Sequence, residues 1–479
     1  MAPPTTIFYG AVISPESLTS YKALPRCLLS VGASGTIDWM VDDVQEHVLQ
    51  ETLAQKGCID VDVITLPAGE FLLPGFIDTH THAPQLPNLG SGQQHELLDW
   101  LSDVTFPMEA KFSDVEFARR TYESVVRRVI NCGTTTCCYY GSLHLESTKV
   151  LADIVHASGQ RAFVGKCNMD RNCPDYYVEA SAEVSINETK QLISHIRSLA
   201  SRPNAQSSSR PHLVQPILTP RFAISCTPEL LTSLGKMASS DPSLHIQTHI
   251  SENKAEIAFT KELFPDAPHY AGVYDSFGLL RPNTILAHAV HLEDTELELI
   301  AKRKAGISHC PTSNFNLSSG VAPIGVYLDR GIKVGLGTDV SGGFSPSILT
   351  CIQNASIASK ILAIQAGTHG TSPTQFSNRQ LPVATLLYLA TLGGAEVCHI
   401  DKTVGSLAPG MSFDALLVNT RSIAGNPGLW SPDTDTPGKG KEALDGLLER
   451  FLFCGDDRNI SRVYVEGRFI GGNNYRANN

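Results

Sequence analysis

The sequence predicts an α/β fold: a (β/α)8 TIM barrel carrying a small composite β-sandwich domain built from both termini. Three observations lead there. Short apolar runs alternate with longer helix-like segments through the middle of the chain. β-like pieces lie at both ends. Histidines and one aspartate stand where the predicted barrel strands finish.

In chain order, β-like pieces at 6–12, 35–41 and 61–66 surround a helix-like stretch at 44–56. Barrel strands are then expected to begin near Phe71, Thr134, Arg161, Leu213, His245, Thr284, Gly306 and Lys333. Each is a short continuous apolar run, the pattern of a parallel strand buried on both faces. Helical patterns lie between them. At 115–130, Phe117, Tyr122, Val125, Val126 and Val129 recur on one face; at 293–303, Leu297 and Ile300 point inward. β character returns at 414–418 and 463–470. The expected units are therefore 1–73 with 404–479 as the composite β domain, and 74–403 as the barrel. Residues 201–212 read as a polar Pro/Ser-rich loop, and 422–441 as a second excursion.

Composition narrows the function. The chain has 479 residues, 42% hydrophobic and 18% charged, with a net charge of -11. An acidic balance argues against a nucleic-acid partner, because phosphate binding needs a basic patch. No apolar stretch reaches the length of a membrane span. The N-terminal residues lack a basic stretch followed by an apolar one, so a secretory signal is not expected. Twelve cysteines without a signal read as reduced thiols, and the expected location is cytoplasmic.

The chemistry gathers at strand ends. In PGFIDTHTH, His80 and His82 stand two apart, and alternate strand residues point to the same face. Two imidazoles aimed at one point suit a divalent metal. HIQTHISEN then supplies His249 and Glu252, ILAHAVH supplies His288, ISHCPTSN supplies His309, and VGLGTDVSGG supplies Asp339. Taken singly, each histidine reads as a hydrogen-bonded core residue. Together, His80, His82, His249, His288 and Asp339 all fall at predicted strand ends. A barrel brings those ends to one mouth. Imidazole nitrogen and carboxylate oxygen are ligands for zinc or iron. His95, His144, His195, His245, His269, His291 and His399 show no such pattern and read as structural. The chain has no P-loop, no G-x-S-x-G elbow and no dinucleotide fingerprint. It also lacks the zinc signature of cytidine-type deaminases.

PGFIDTHTH, HISEN, LAHAVHL, SHCPTSN and GLGTDVSGG resemble the motif series of the amidohydrolase superfamily. THAPQ, LLDWL, TFPMEAKF, CGTTTCCYY, QRAFVGK and ILTPRFAISC are similar to segments of its members that deaminate guanine. The resemblance runs over roughly 65–420. It implies a homodimer with one Zn²⁺ per subunit, held by His80, His82, His249 and Asp339. His288 matches the position that meets the activated water or, more loosely, the metal, and Glu252 matches the proton-shuttling glutamate. Gln85, Arg221 and Phe222 match groups that hold the purine, with Trp100 lining the same pocket. His309 matches a position near the site. A related subtype bridges two metals with a carboxylated lysine in the fourth strand. The corresponding LVQPILTPRF has no lysine, which implies one metal.

The implied reaction adds water to C2 of guanine, Glu252 moving a proton to N3 and Asp339 taking the water's proton, and releases xanthine and ammonia. Two other readings stay open: an amidohydrolase for another aminated heterocycle, and a non-catalytic barrel scaffold.

Overall fold

The computed structural model describes residues 5–58, 61–199, 212–370, 372, 374–429 and 440–475. The predicted loop at 201–212 lies almost wholly outside the described residues, as does much of the excursion at 422–441.

The chain opens with β1 (Thr6–Ser17), β2 (Ser20–Val31), β3 (Ile37–Val41), β4 (Val63–Thr65) and β5 (Glu70–Pro74). It continues through β6 (Phe76–His82), β7 (Thr134–Tyr140), β8 (Arg161–Gly165) and β9 (Val214–Leu218). Next come β10 (His245–Ile250), β11 (Thr284–His288), β12 (Gly306–His309) and β13 (Lys333–Leu336). It closes with β14 (Ala415–Asn419), β15 (Ile460–Val465) and β16 (Arg468–Gly471).

β6 to β13 pair in sequence order, every neighbouring pair parallel, and form a nearly closed eight-stranded barrel. At the seam, Thr79 Oγ1 donates to Leu336 O (2.9 Å) and Asp339 N donates to His80 O (2.8 Å). β6, β7 and β10 are buried along their whole length, as continuous apolar runs predict. The remaining strands form one mixed sheet in the order β16-β15-β14-β5-β1-β2-β3, with β4 on β1. Both termini thus supply the second β unit, as expected.

Helices cover the barrel. Val115–Asn131 starts where Asp114 caps it, accepting from Glu116 N and Phe117 N. It buries Ala118, Tyr122, Val125, Val126, Val129 and Ile130. Each large apolar side chain buried there contributes roughly 1.5–3 kcal/mol over leaving it in water. Asp294–Arg303 buries Leu297 and Ile300, the pair expected to face inward.

Three details differ from the sequence reading. The run from Phe71 is two strands in two sheets, β5 and β6, parted at Gly75. A Cβ at Gly75 would fall 2.1 Å from Thr135 Oγ1, so the chain passes this point only without a side chain. The stretch 463–470 is a hairpin of two strands rather than one. β2 had no expectation at all. Lys22, Pro25 and Arg26 break its apolar pattern, and its pairing to β1 carries irregular register.

Candidate active site

The carboxyl ends of β6, β10, β11 and β13 bring four buried groups together. One ligand atom each from His80, His249, His288 and Asp339 lies within 4.8 Å of all the others. His82 stands beside this group: its Nε2 is 3.1 Å from His249 Nε2 and 3.5 Å from Asp339 Oδ1. Asp339 Oδ1 is 3.0 Å from His80 Nε2, and its Oδ2 is 3.7 Å from His288 Nε2. The compact group therefore contains His288, which the family resemblance treats as the looser position.

Neighbouring groups brace this cluster. Asp78 accepts from His80 N (3.2 Å) and from Thr338 N (3.0 Å) and Oγ1 (2.5 Å), tying β6 to the turn after β13. His249 Nδ1 donates to Arg221 O at 2.6 Å, which leaves Nε2 as the lone-pair nitrogen. His288 Nδ1 pairs with Asn314 Oδ1 at 3.0 Å. The backbone bends sharply at these ends: Ser251, His288 and Asp339 all have positive φ, at 47°, 72° and 45°. Gly337 lets the β13 end approach β6, since a Cβ there would meet Ser308, Cys310 and His80 within 3 Å.

The donor set fits a divalent metal. His80 Nδ1 and His82 Nδ1 are buried without hydrogen-bond partners. Burial, followed by neighbouring imidazoles for the latter two, pushes His82 and His249 well below the usual histidine range; burial also lowers His80. That direction favours the neutral imidazole, the form that ligates. Burial opposes ionisation of Asp339. The His80 hydrogen bond and the charges of His80, His288 and His82 outweigh it and hold the carboxyl well below its ordinary range.

Glu252 is buried beside this cluster. Its Oε2 is 3.4 Å from His288 Nε2, and its Oε1 accepts from Ser319 Oγ at 3.1 Å. Burial pushes its carboxyl up to about 7; His288 works against that shift, and Asp339 and Glu256 add to it. His309, at the end of β12, is buried with Nδ1 unpartnered, and burial lowers it to about 3.

Two of the groups expected to hold a purine, Gln85 and Arg221, meet around a residue that sequence reasoning missed, Glu109. Arg221 Nη1 and Nη2 donate to its two oxygens at 2.6 and 3.0 Å. Gln85 Nε2 donates to Oε1 at 2.7 Å, and Tyr177 OH to Oε2 at 2.7 Å. Ser341 N donates to Gln85 Oε1 at 3.0 Å. The Arg221 Nε–H is buried and unpartnered. Burial opposes the Arg221 charge, and the Glu109 carboxylate more than offsets it. Phe222 stacks on the His249 ring, centroids 4.2 Å apart and planes 20° apart. Trp100 packs in the same apolar wall as Phe106, Tyr177 and Phe222.

Glu109 lies in TFPMEAKF, a segment already noticed for its resemblance, yet a lone glutamate there has no spacing to any strand end. Asn314 and Ser319 were missed because their partners lie far off in sequence, and Asp78 because it stands within β6 and reads as part of the strand leading to His80. Three of the histidines read as structural have partners of their own. His245 Nε2 meets Cys398 O (3.0 Å), His291 Nε2 meets Ser319 O (2.8 Å), and His269 caps the helix Tyr270–Ser276.

Residues 71–470 match the amidohydrolase family. The probable guanine deaminase of Schizosaccharomyces pombe is 42% identical over 98% of this chain and 84% of its own length. The human guanine deaminase is 38% identical over 98% and 97%. Among solved structures, guanine deaminase from C. acetobutylicum with bound guanine in the active site superposes with a TM-score of 0.83. It is 35% identical and covers 97% of this chain and 100% of that one. The metal-ready cluster at the barrel mouth and these matches along nearly the whole sequence lead to one conclusion: the chain belongs to the amidohydrolase family.

Proposed function

We propose that this protein hydrolyses guanine to xanthine and ammonia. One observation carries the reading: His80, His249, His288, Asp339 and Glu252 converge at the barrel mouth of a chain whose full-length relatives are guanine deaminases. His80, His82, His249 and Asp339, with His288 adjoining, would hold one Zn²⁺ per subunit, since imidazole nitrogen and carboxylate oxygen are ligand types zinc takes. Bound there, the metal supplies Lewis-acid activation, lowering the pKa of water from about 15.7 to about 7.

The chain's own groups do the rest. Asp339, ionised and turned toward His80, His82 and His288, accepts the proton of the attacking water. Glu252, whose carboxyl sits at about 7, holds a proton near neutrality and can deliver it to N3 of the base. As the C2–O bond forms and the C2–N bond breaks, the leaving amine takes a proton from Glu252 or Asp339. Water's oxygen ends on xanthine, and nitrogen leaves as ammonia.

Arg221 has an unpartnered buried Nε–H, a donor suited to a carbonyl oxygen such as guanine O6. Adenine carries an amino group there and would set donor against donor, a mismatch that hydrogen-bonding sites reject strongly. Gln85, Phe222 and Trp100 complete the base pocket in this reading.

Three further assignments belong here. The units 1–73 with 404–479 and 74–403 are supported by the change of sheet between β5 and β6. Homodimerisation rests on the family resemblance. A cytoplasmic setting is supported by the free thiols of all twelve cysteines. No helix among the described residues is long and apolar enough to cross a membrane.

The test is a spectrophotometric assay of purified protein with guanine, adenine and cytosine, each with and without a chelator. Chelator-sensitive conversion of guanine alone is expected. Metal-replete protein that leaves guanine intact would overturn the reading. Arg221→Ala should raise KM for guanine and loosen base selectivity; unchanged kinetics would remove Arg221 from the pocket.

A further inference from the structure

We infer that Glu109 is the residue that sets the base-recognition surface, acting through Arg221 and Gln85 without touching the substrate. The inference rests on the guanine reading above.

A carboxylate offers about four lone-pair sites. Glu109 has four partners: Arg221 Nη1 and Tyr177 OH on Oε2, Arg221 Nη2 and Gln85 Nε2 on Oε1. Its side chain is fully buried. With every acceptor site in use, none is left for a ligand. What the carboxylate does instead is fix three donors in space.

The fork of Arg221 is pinned bidentately, so the guanidinium plane has one orientation. Each Nη gives an N–H to Glu109, Nη1 also lies 3.9 Å from Cys167 Sγ, and the buried Nε–H has no partner. The amide of Gln85 is held at both ends: Nε2 gives to Glu109, and Oε1 takes from Ser341 N, a residue just past Asp339. That double hold defines which end of the amide is oxygen. The remaining Gln85 N–H and Arg221 Nε–H are both donors. The surface therefore reads acceptor atoms on a base, and Glu109 determines that it does.

Tyr177 extends the same arrangement. Its hydroxyl gives to Glu109 and accepts from Leu143 N at 3.1 Å, joining the segments after β7 and β8 to the base-side wall. Glu109 itself lies far along the chain from Arg221 and enters from the short helix Phe106–Glu109, beyond β6.

The experiment is a double-mutant cycle on the metal-loaded enzyme: wild type, Glu109→Gln, Arg221→Ala and the double variant. Each is assayed for kcat and KM with guanine, and each is checked for bound metal. Glu109→Gln keeps the shape and removes the charge. The expected result is a KM raised on the order of tenfold to a hundredfold, the loss of charge-assisted bonds. kcat and metal content should stay near wild type. If Glu109 works through Arg221 and Gln85, the double variant raises KM by less than the two single effects combined. Fully additive KM effects would overturn the inference, as would an unchanged KM in Glu109→Gln. A fall in kcat with KM unchanged would also overturn it, because Glu109 would then act in the chemistry. Should Glu109→Gln not fold, Glu109→Asp serves in the cycle, keeping the charge and being too short for all four partners. Wild type without activity on guanine overturns the function and this inference together. An active wild type with additive variants overturns this inference alone.

Discussion

Burial and charge act against each other at Glu252. Desolvation disfavours its carboxylate, while His288, 3.4 Å away, favours it, and burial prevails to leave the group near 7. A carboxyl poised there can give and take a proton at neutral pH, which an ordinary glutamate does poorly. Glu252→Gln should therefore retain its metal and lose turnover by about 10²–10⁴-fold. Metal analysis beside a guanine assay checks this, and a metal-loaded variant with near wild-type kcat would end the role. The glutamate's place was legible, three residues after a strand-end histidine in HISEN. Its environment was not. Ser319, which donates to it, and Asn314, which orients His288, lie more than 20 residues from their partners in sequence and reach them only through the barrel's closure.

The strand end is where regular structure stops and chemistry starts. Ser251, His288 and Asp339 leave their strands with positive φ, a conformation costing roughly 1–2 kcal/mol for a residue with a Cβ. The tightly bonded turns around them hold that geometry. Asp78 is the strongest such tie, bonded to His80 N and to both donors of Thr338 across the seam. Thr338→Val removes one of those bonds and leaves the buried carboxylate short of a donor. The expected cost is about 1.5–3 kcal/mol in urea unfolding. Metal affinity should weaken about tenfold or more, since such supporting bonds orient the ligands. Unchanged midpoints and affinity would show the tie to be idle. Strand starts could be read from the sequence because β7, β8 and β10 to β13 are short apolar runs that begin where predicted. The run 71–77 could not be divided. Both halves are apolar, and only the contact of Gly75 with Thr135 shows where the chain changes sheets.

The two β units are joined by a buried ion pair. Arg161, the first residue of β8, donates Nε to Asp414 Oδ2 at 3.0 Å, and Asp414 also accepts from Ser412 Oγ at 2.7 Å and Glu466 N at 2.9 Å. Neither partner reaches solvent appreciably. Such a pair is a weak source of net stability, yet removing one half strands the other charge. Asp414→Ala should cost about 3–5 kcal/mol in denaturant unfolding. Because Arg161 lies at the opposite end of its strand from the mouth, kcat of the folded fraction should hold. A variant of normal stability would show that water or Glu466 takes over the guanidinium. Metal removal acts on the whole molecule as well. A ligand at 100 times its Kd adds about 2.7 kcal/mol, so chelation should lower the thermal midpoint and re-addition should restore it.

The converging groups run from His80 to Asp339, and the seam between β6 and β13 closes around both ends of that span. During synthesis the amino-terminal strands emerge first, carrying His80 and His82 with no carboxylate to face them. A nascent chain that has passed His249 and His288 still presents only imidazoles. The acidic member arrives last, in the turn after β13, the strand that shuts the barrel. The carboxylate of the four-member group is therefore completed only with the barrel, and a chain broken off before residue 339 would leave the ribosome without its full set of candidate ligands.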